Sequence, residues 1–288
     1  MNSLNIGFIG FGLIGGSIAK AIKMAHPDYK IYVTSRTLAS VQPALKDGVA
    51  DAIINCSDAA FTDIFGQCDY IFLCTPVVTI SAYLKTLKPV IKASCIITDV
   101  GSVKGSIHKT VTELDMEKNF IGGHPMAGSE RTGYVNSSAQ LMVNAKYVIT
   151  PTAMTDEAKL NQYIQLVKDM LSVPMVMDPF VHDYSVAGIS HVPHIISATL
   201  AKLVEDNDNA AHDMHALAAG GFKDTTRIAA SSPEMWDQIC DSNSESICEL
   251  LTKYIDLLTD VRDNINNHSE GYISGLFDSS RDYRNTFK

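Results

Sequence analysis

Leu4-Asn5-Ile6-Gly7-Phe8-Ile9-Gly10-Phe11-Gly12-Leu13-Ile14-Gly15-Gly16-Ser17 carries an apolar run of strand length straight into G-x-G-x-x-G. Ile18, Ala19, Ala21, Ile22 and Met24 follow at helical spacing, so the glycines stand between a strand and a helix. In that setting Gly10 makes the tight turn, Gly12 admits a pyrophosphate against the backbone, and Gly15 lets helix and strand pack closely. The first helical residues, Leu13 and Ile14, offer free N–H groups and the positive end of the helix dipole to the phosphates. The stretch predicts a dinucleotide site.

Outward from it, apolar runs of strand length at residues 30–33, 70–75, 94–100, 146–150 and 175–177 alternate with helical patterns at 77–87, 102–114 and 156–171. That alternation predicts an α/β fold with a Rossmann-type doubly wound parallel sheet, whose ligands lie at the carboxyl ends of the strands. Thr75 with Pro76, Ser102 and His124 each follow such an end, which directs them towards a nicotinamide. Ser102 is equally placed to be the N-cap of the helix it opens. The strand at 30–33 ends in Thr34-Ser35-Arg36-Thr37, where a fold that takes NAD usually carries an acid for the ribose 2′-hydroxyl. Ser35 and Arg36 suit a 2′-phosphate instead, because guanidinium and hydroxyl donate where a carboxylate repels. NADP is therefore favoured over NAD, the alternative being an exposed Arg36 stacked on adenine with either cofactor.

After Asp178-Pro179 no strand pattern remains. Ile247, Leu250, Leu251, Tyr254, Ile255, Leu258, Val261 and Ile265 form one apolar helical stripe with polar residues on the opposite face. Residues 1–177 read as a dinucleotide-binding domain and 178–288 as an all-helical substrate and dimerisation domain. A stripe of that length pairs with its copy in a homodimer, unless it is covered within the chain.

Composition narrows the function. With 288 residues, 46% of them hydrophobic, there is material for two cores, and a net charge of -9 argues against nucleic acid or an anionic membrane as partner. The six cysteines form no C-x-x-C pair and read as reduced thiols. No stretch reaches the roughly 18 apolar residues of a membrane span, and no basic flank precedes the first apolar run, so the expected location is the cytoplasm.

The chemistry concentrates in Gly122-Gly123-His124-Pro125-Met126-Ala127-Gly128-Ser129-Glu130. An imidazole set among glycines at the end of an apolar run is a candidate proton acceptor that works near its ordinary pKa without help from burial. The plainer reading is a surface histidine in a polar turn. Further on, His191 and His194 stand three apart, on one face of a helix that Pro193 deprives of a backbone hydrogen bond. No third ligand has a matching spacing, so no metal is expected. His212 and His215 read as solvent-facing. Arg227 is a good fork for a carboxylate, although its surroundings alone do not single it out.

Taken together, Gly10, Gly12 and Gly15, Asp99-Val100-Gly101-Ser102-Val103-Lys104, Gly123 to Glu130, Ser190-His191-Val192-Pro193-His194, and Gly221-Phe222-Lys223-Asp224-Thr225-Thr226-Arg227 with Trp236 resemble the prephenate/arogenate dehydrogenase family of tyrosine biosynthesis. The five motifs run in order over nearly the whole chain. The resemblance implies oxidative decarboxylation of prephenate to 4-hydroxyphenylpyruvate, or of arogenate to tyrosine, by a homodimer joined through its helical domain. It implies that His124 withdraws the ring hydroxyl proton, that Ser102 helps hold that hydroxyl, and that Arg227 grips the ring carboxylate. His194, supported by His191, would stand near the substrate side chain, Glu130 would gate access, and Gly220 and Trp236 would line the site. The chain ends about where the dehydrogenase core ends, so neither an ACT nor a chorismate mutase domain is expected. Two other readings compete: a 3-hydroxyacid or imine reductase using Lys223, which leaves two motifs unexplained, and a non-catalytic NADP-sensing module, which needs no His124.

Overall fold

The computed structural model describes residues 3–128 and 131–287. Strand β1 (Asn5–Ile9) leads through the glycine turn into α1 (Leu13–Ala25), then β2 (Lys30–Thr34), α2 (Pro43–Lys46), β3 (Ala52–Ile53), α3 (Ala59–Phe65), β4 (Tyr70–Leu73) and α4 (Val77–Leu87). β5 (Ile96–Asp99), α5 (Gly105–Glu113), β6 (Ile121–Pro125), β7 (Lys146–Pro151), α6 (Glu157–Asp169) and β8 (Val173–Val176) complete the first part. The rest is helical: α7 (Pro179–Val186), α8 (Val192–Asn207), α9 (Asp213–Leu217), α10 (Gly220–Thr226), α11 (Pro233–Ser242), α12 (Ser244–Asn266) and α13 (Tyr272–Arg284).

Five strands form a parallel sheet in the order β3-β2-β1-β4-β5. Side chains alternate across it, as a period of two requires. Ile6, Phe8, Tyr70 and Phe72 enter one buried layer with Ile18 and Ile22 of α1, whereas Ile9, Ile71 and Leu73 enter the other with Leu84 of α4 and Val111 of α5. Burial on both faces explains why these strands read as unbroken apolar runs. The sheet-and-helix architecture expected from the sequence stands.

Three details correct the sequence reading. β6 pairs with β7 antiparallel, with His124 opposite Val148, and this second sheet, ordered β6-β7-β8, meets β5 through a bridge between Ile97 and Phe120. His124 consequently lies within a strand and does not follow a strand end. The helix expected from residue 102 starts at Gly105, which removes Ser102 as its N-cap. The cause is Asp183, whose carboxylate takes the Lys104 and Gly105 amides and fixes the first helical turn there. The short elements between residues 38 and 65 carry too little periodicity to be read from sequence.

The helical part buries far less. Ala187, Ile239 and Ile247 form its buried apolar cluster, with Ile195, Trp236, Leu250 and Leu251 packed around them. Ile255, Leu258 and Ile265, in the second half of the long stripe, are exposed.

Candidate active site

At the carboxyl ends of β1 and β4 the chain encloses a cleft of about 500 Å³, lined by Gly12, Leu13, Ile14, Gly15, Thr75, Pro76 and Ser102, with α11 as its far wall. Gly10 adopts φ +82° and its missing Cβ would stand 2.6 Å from the Cys74 carbonyl, so only glycine makes this turn. A Cβ on Gly12 would meet no atom of the described residues within 4 Å. No side chain among the described residues caps α1, which leaves its first amides open to an anion. Thr75 Oγ1 is buried in this cleft with no hydrogen-bond partner among the described residues. A nicotinamide dinucleotide fits these observations: amides without acceptors, space where a side chain would stand, and an orphaned hydroxyl. Ser35 and the exposed Arg36 follow β2, whose Thr34 carbonyl accepts from the Gly10 amide at 2.9 Å. They lie beside the turn and outside the lining of the cleft.

His124 is held from below and from the side. Gly123 is needed because a Cβ there would stand 2.7 Å from the Asp99 carbonyl and 2.8 Å from the Tyr163 hydroxyl. Under that strand Lys104, fully buried, pairs with Asp99 and donates to the Gly123 carbonyl at 2.8 Å. Asp99 also accepts from the Gly101 and Gly123 amides, at 2.8 and 3.2 Å. From α7, His182 Nε2 lies 2.8 Å from His124 Nδ1, and His182 Nδ1 lies 2.7 Å from Asp183 Oδ1. Loss of water around the ring, followed by the like charges of His182, Lys104 and His191, holds the His124 pKa well below the ordinary 6.5. His124 therefore stands half-buried within a strand, with its pKa lowered by loss of water and by its neighbours, and not in a surface turn at its ordinary pKa.

A second cluster gathers His191, His194 and Trp236. The Trp236 ring lies 4.3 Å from that of His194 and 5.9 Å from that of His191, and its buried Nε1 has no partner among the described residues. The two histidines do not share one regular helix as their spacing suggests. His191 closes a π-helical turn, Ala187–His191, and His194 lies in the first turn of α8, where Pro193 needs no intrahelical donor. His191 accepts from Asn243 Nδ2 at 3.2 Å, and burial pushes its pKa down to about 4. His194 donates through Nδ1 to the Ser190 carbonyl at 2.8 Å, and its Nε2 makes no hydrogen bond to the described residues. Arg227 and Gly220 are exposed on the segment packed against α8, where Ser197 donates to the Thr225 carbonyl at 3.0 Å. Glu130 lies outside the described residues. His212 and His215 are exposed, and the described residues contain no cluster able to hold a metal. All six cysteines are free thiols.

Sequence reasoning missed four working parts: His182, Asp183, Lys104 and Asp99. The last two stood in a quoted motif and the first two at the start of the helical part, but nothing in linear spacing announces a contact across 58 residues.

The family model described as prephenate dehydrogenase, nucleotide-binding domain, matches residues 18–175, and that described as prephenate dehydrogenase, dimerization domain, matches residues 178–278. A prephenate dehydrogenase of Bacillus subtilis (strain 168) is 35% identical over 279 residues, covering 96% of this chain and 74% of that protein. The crystal structure of prephenate dehydrogenase from A. aeolicus, in complex with hydroxyphenyl propionate and NAD+, superimposes with a TM-score of 0.93 at 29% identity, over 100% of this chain and 99% of that one. Synechocystis arogenate dehydrogenase gives a TM-score of 0.88 at 29% identity, over 99% of this chain and 100% of that one.

Proposed function

The chain belongs to the prephenate dehydrogenase family of nicotinamide-dependent oxidoreductases, and from that premise we propose that it converts prephenate to 4-hydroxyphenylpyruvate with His124 as the base. The observation that carries this reading is the half-buried His124 on β6, its Nδ1 2.8 Å from His182 Nε2 and its strand held through Asp99 to Gly101 at the edge of the glycine-loop cleft. When bound, the cofactor supplies the hydride acceptor. His124 takes the proton of the ring hydroxyl, so that the carbon losing hydride becomes a carbonyl in place of a cation. Carbon dioxide then leaves the ring, its bonding electrons make the ring aromatic, and the oxygen recovers its proton from His124.

The other residues hold the substrate. Ser102, at the edge of the cleft, positions the hydroxyl, and Arg227 grips the ring carboxylate. His194 meets the side chain through Nε2, supported by His191, with Trp236 and Gly220 lining the site, and Glu130 is assigned the gating of access. Residues 1–177 carry the cofactor through Gly10, Gly12, Leu13, Ile14, Gly15, Thr75 and Pro76, and residues 178–288 carry substrate contacts and the homodimer contact. Ser35 and Arg36 favour NADP over NAD, because no acid stands at the end of β2. The proposed location is the cytoplasm, in keeping with the free thiols and with no helix of the described residues long and apolar enough to cross a membrane.

Four cuvettes test the reading: prephenate or arogenate, each with NAD or NADP, followed by formation of the reduced nicotinamide. Turnover of prephenate is expected, faster with NADP. Turnover of arogenate alone would move the assignment to arogenate dehydrogenase. Silence from folded protein that still binds cofactor would overturn the proposal in favour of a sensing module. A His124→Asn variant separates these readings further, since it is expected to keep cofactor binding and lose turnover.

A further inference from the structure

Asp183 Oδ1 accepts from the Lys104 amide at 2.7 Å, and Oδ2 accepts from the Gly105 amide at 2.7 Å. It therefore sits as a carboxylate at the positive end of α5. A carboxylate can only accept, so the close contact of Oδ1 with His182 Nδ1 requires the proton on that nitrogen. His182 Nε2 is then a bare lone pair. The 2.8 Å contact between it and His124 Nδ1 is a hydrogen bond only if His124 donates from Nδ1. The opposite set of tautomers would face a lone pair towards a carboxylate. Each tautomer follows from the hydrogen-bond network and begins at two backbone amides, whose protons cannot move.

We propose that His182 and Asp183 are positioning residues that hold His124 as its Nδ1–H tautomer, leaving Nε2 as the proton acceptor for the substrate. This rests on the reading of His124 as the base and says which nitrogen acts and why. The relay crosses from α7 to β6 and is clamped to α5 by Asp183, so the base is complete only while the helical part is docked on the sheet. Asn243 tightens the same junction, donating from Nδ2 to the Asp183 carbonyl at 2.8 Å. The other titratable groups that act on the His124 ring electrostatically are Lys104, paired with Asp99 below β6, and His191 at the end of the π-helical turn.

The test compares His182→Phe, which keeps a ring but no acceptor, with His182→Gln, whose side-chain carbonyl can still accept from His124 Nδ1. Imidazole 15N shifts of His124 in the folded protein without substrate read the tautomer directly. Wild type and His182→Gln are expected to show Nδ1 protonated, and His182→Phe to show the proton populating Nε2. With cofactor and prephenate, His182→Phe is expected to lose about 10²-fold in kcat with little change in KM, the scale of a misplaced general base, and His182→Gln to recover most of it. The acid limb of kcat/KM should also move to lower pH in His182→Phe, because the acceptor that stabilises the protonated His124 ring through its Nδ1–H is gone. An unchanged Nδ1–H signal in His182→Phe, or an unchanged kcat and pH profile, overturns the proposal. A protein that never turns over substrate but whose tautomer switches in His182→Phe overturns the dehydrogenase reading and leaves the relay standing.

Discussion

The sheet part and the helical part solve the problem of burial differently. Strands β1 and β4 are covered on both faces, and every inward side chain from Ile6 to Leu73 named above is nearly or fully buried. Among the described residues the helical part buries few apolar side chains, chiefly Val186, Ala187, Val192, Ile239 and Ile247, while Leu203, Leu217, Ile255, Leu258 and Phe277 are exposed. Burial of apolar area drives folding, so the first part carries its own stability, whereas the second draws on neighbours. It has two surfaces for that purpose. One is the junction where Asp183 docks on α5, and the other is the exposed end of the long stripe. The candidate active site lies at the first of these, which is why the base needs residues from both parts.

The strongest way to break this contrast is to attack the polar centre of the sheet part. Lys104→Met removes the ammonium from a pair that is 0% exposed on both sides, leaving Asp99 buried as an uncompensated charge. The expected loss is about 3–5 kcal/mol in urea unfolding; a loss below ~1 kcal/mol would mean that water reaches the pair. Phe72→Ala, in the middle of β4, is expected to cost about 3–5 kcal/mol by opening a cavity between two packed layers. Gly123→Ala comes next, with a Cβ 2.7 Å from the Asp99 carbonyl and 2.8 Å from the Tyr163 hydroxyl. Overpacking of this kind costs about 1–3 kcal/mol, and the shift of β6 should depress kcat as well as the unfolding midpoint.

A smaller effect sharpens the comparison at the junction. His124 and His191 both have pKa values below the ordinary 6.5, His191 at about 4. Below about pH 6.5 the unfolded chain takes up these protons before the folded chain does, so stability is full above that value and falls as pH drops towards 4. The thermal midpoint should decline over this range and decline less in His191→Asn. An identical decline in the variant would remove His191 from the account.

What could be read from the sequence follows the range of the interaction. Gly10 to Gly15 declare the cofactor cleft because strand, turn and helix are contiguous, and the apolar stripe of α12 declares itself by its period. Ser102 misled as an N-cap because the acceptor for the first turn of α5 lies 78 and 79 residues away, on Asp183. The placement of His124 within β6 depends on pairing with β7, which no local pattern reveals. His182 and Asp183 were visible only as polar residues opening a helix, since their meaning comes from what they touch across the junction.

The least destabilising change is the most informative about the second surface of the helical part. Ile255 and Leu258 are 59% and 49% exposed in the single chain. If they remain so in solution, Ile255→Ala and Leu258→Ala should each alter unfolding by no more than about 0.5 kcal/mol, as surface substitutions do, and the mass in solution should stay that of wild type at every dilution. If a second copy covers them, the same near-neutral cost at high dilution must coexist with a concentration-dependent one. Leu258→Asp should then bring a dimeric mass down to that of the monomer in sedimentation, because burying a charge opposite its own copy is unfavourable. A dimer that survives Leu258→Asp unchanged would place the subunit contact elsewhere and leave the exposed end of α12 as solvent-facing surface.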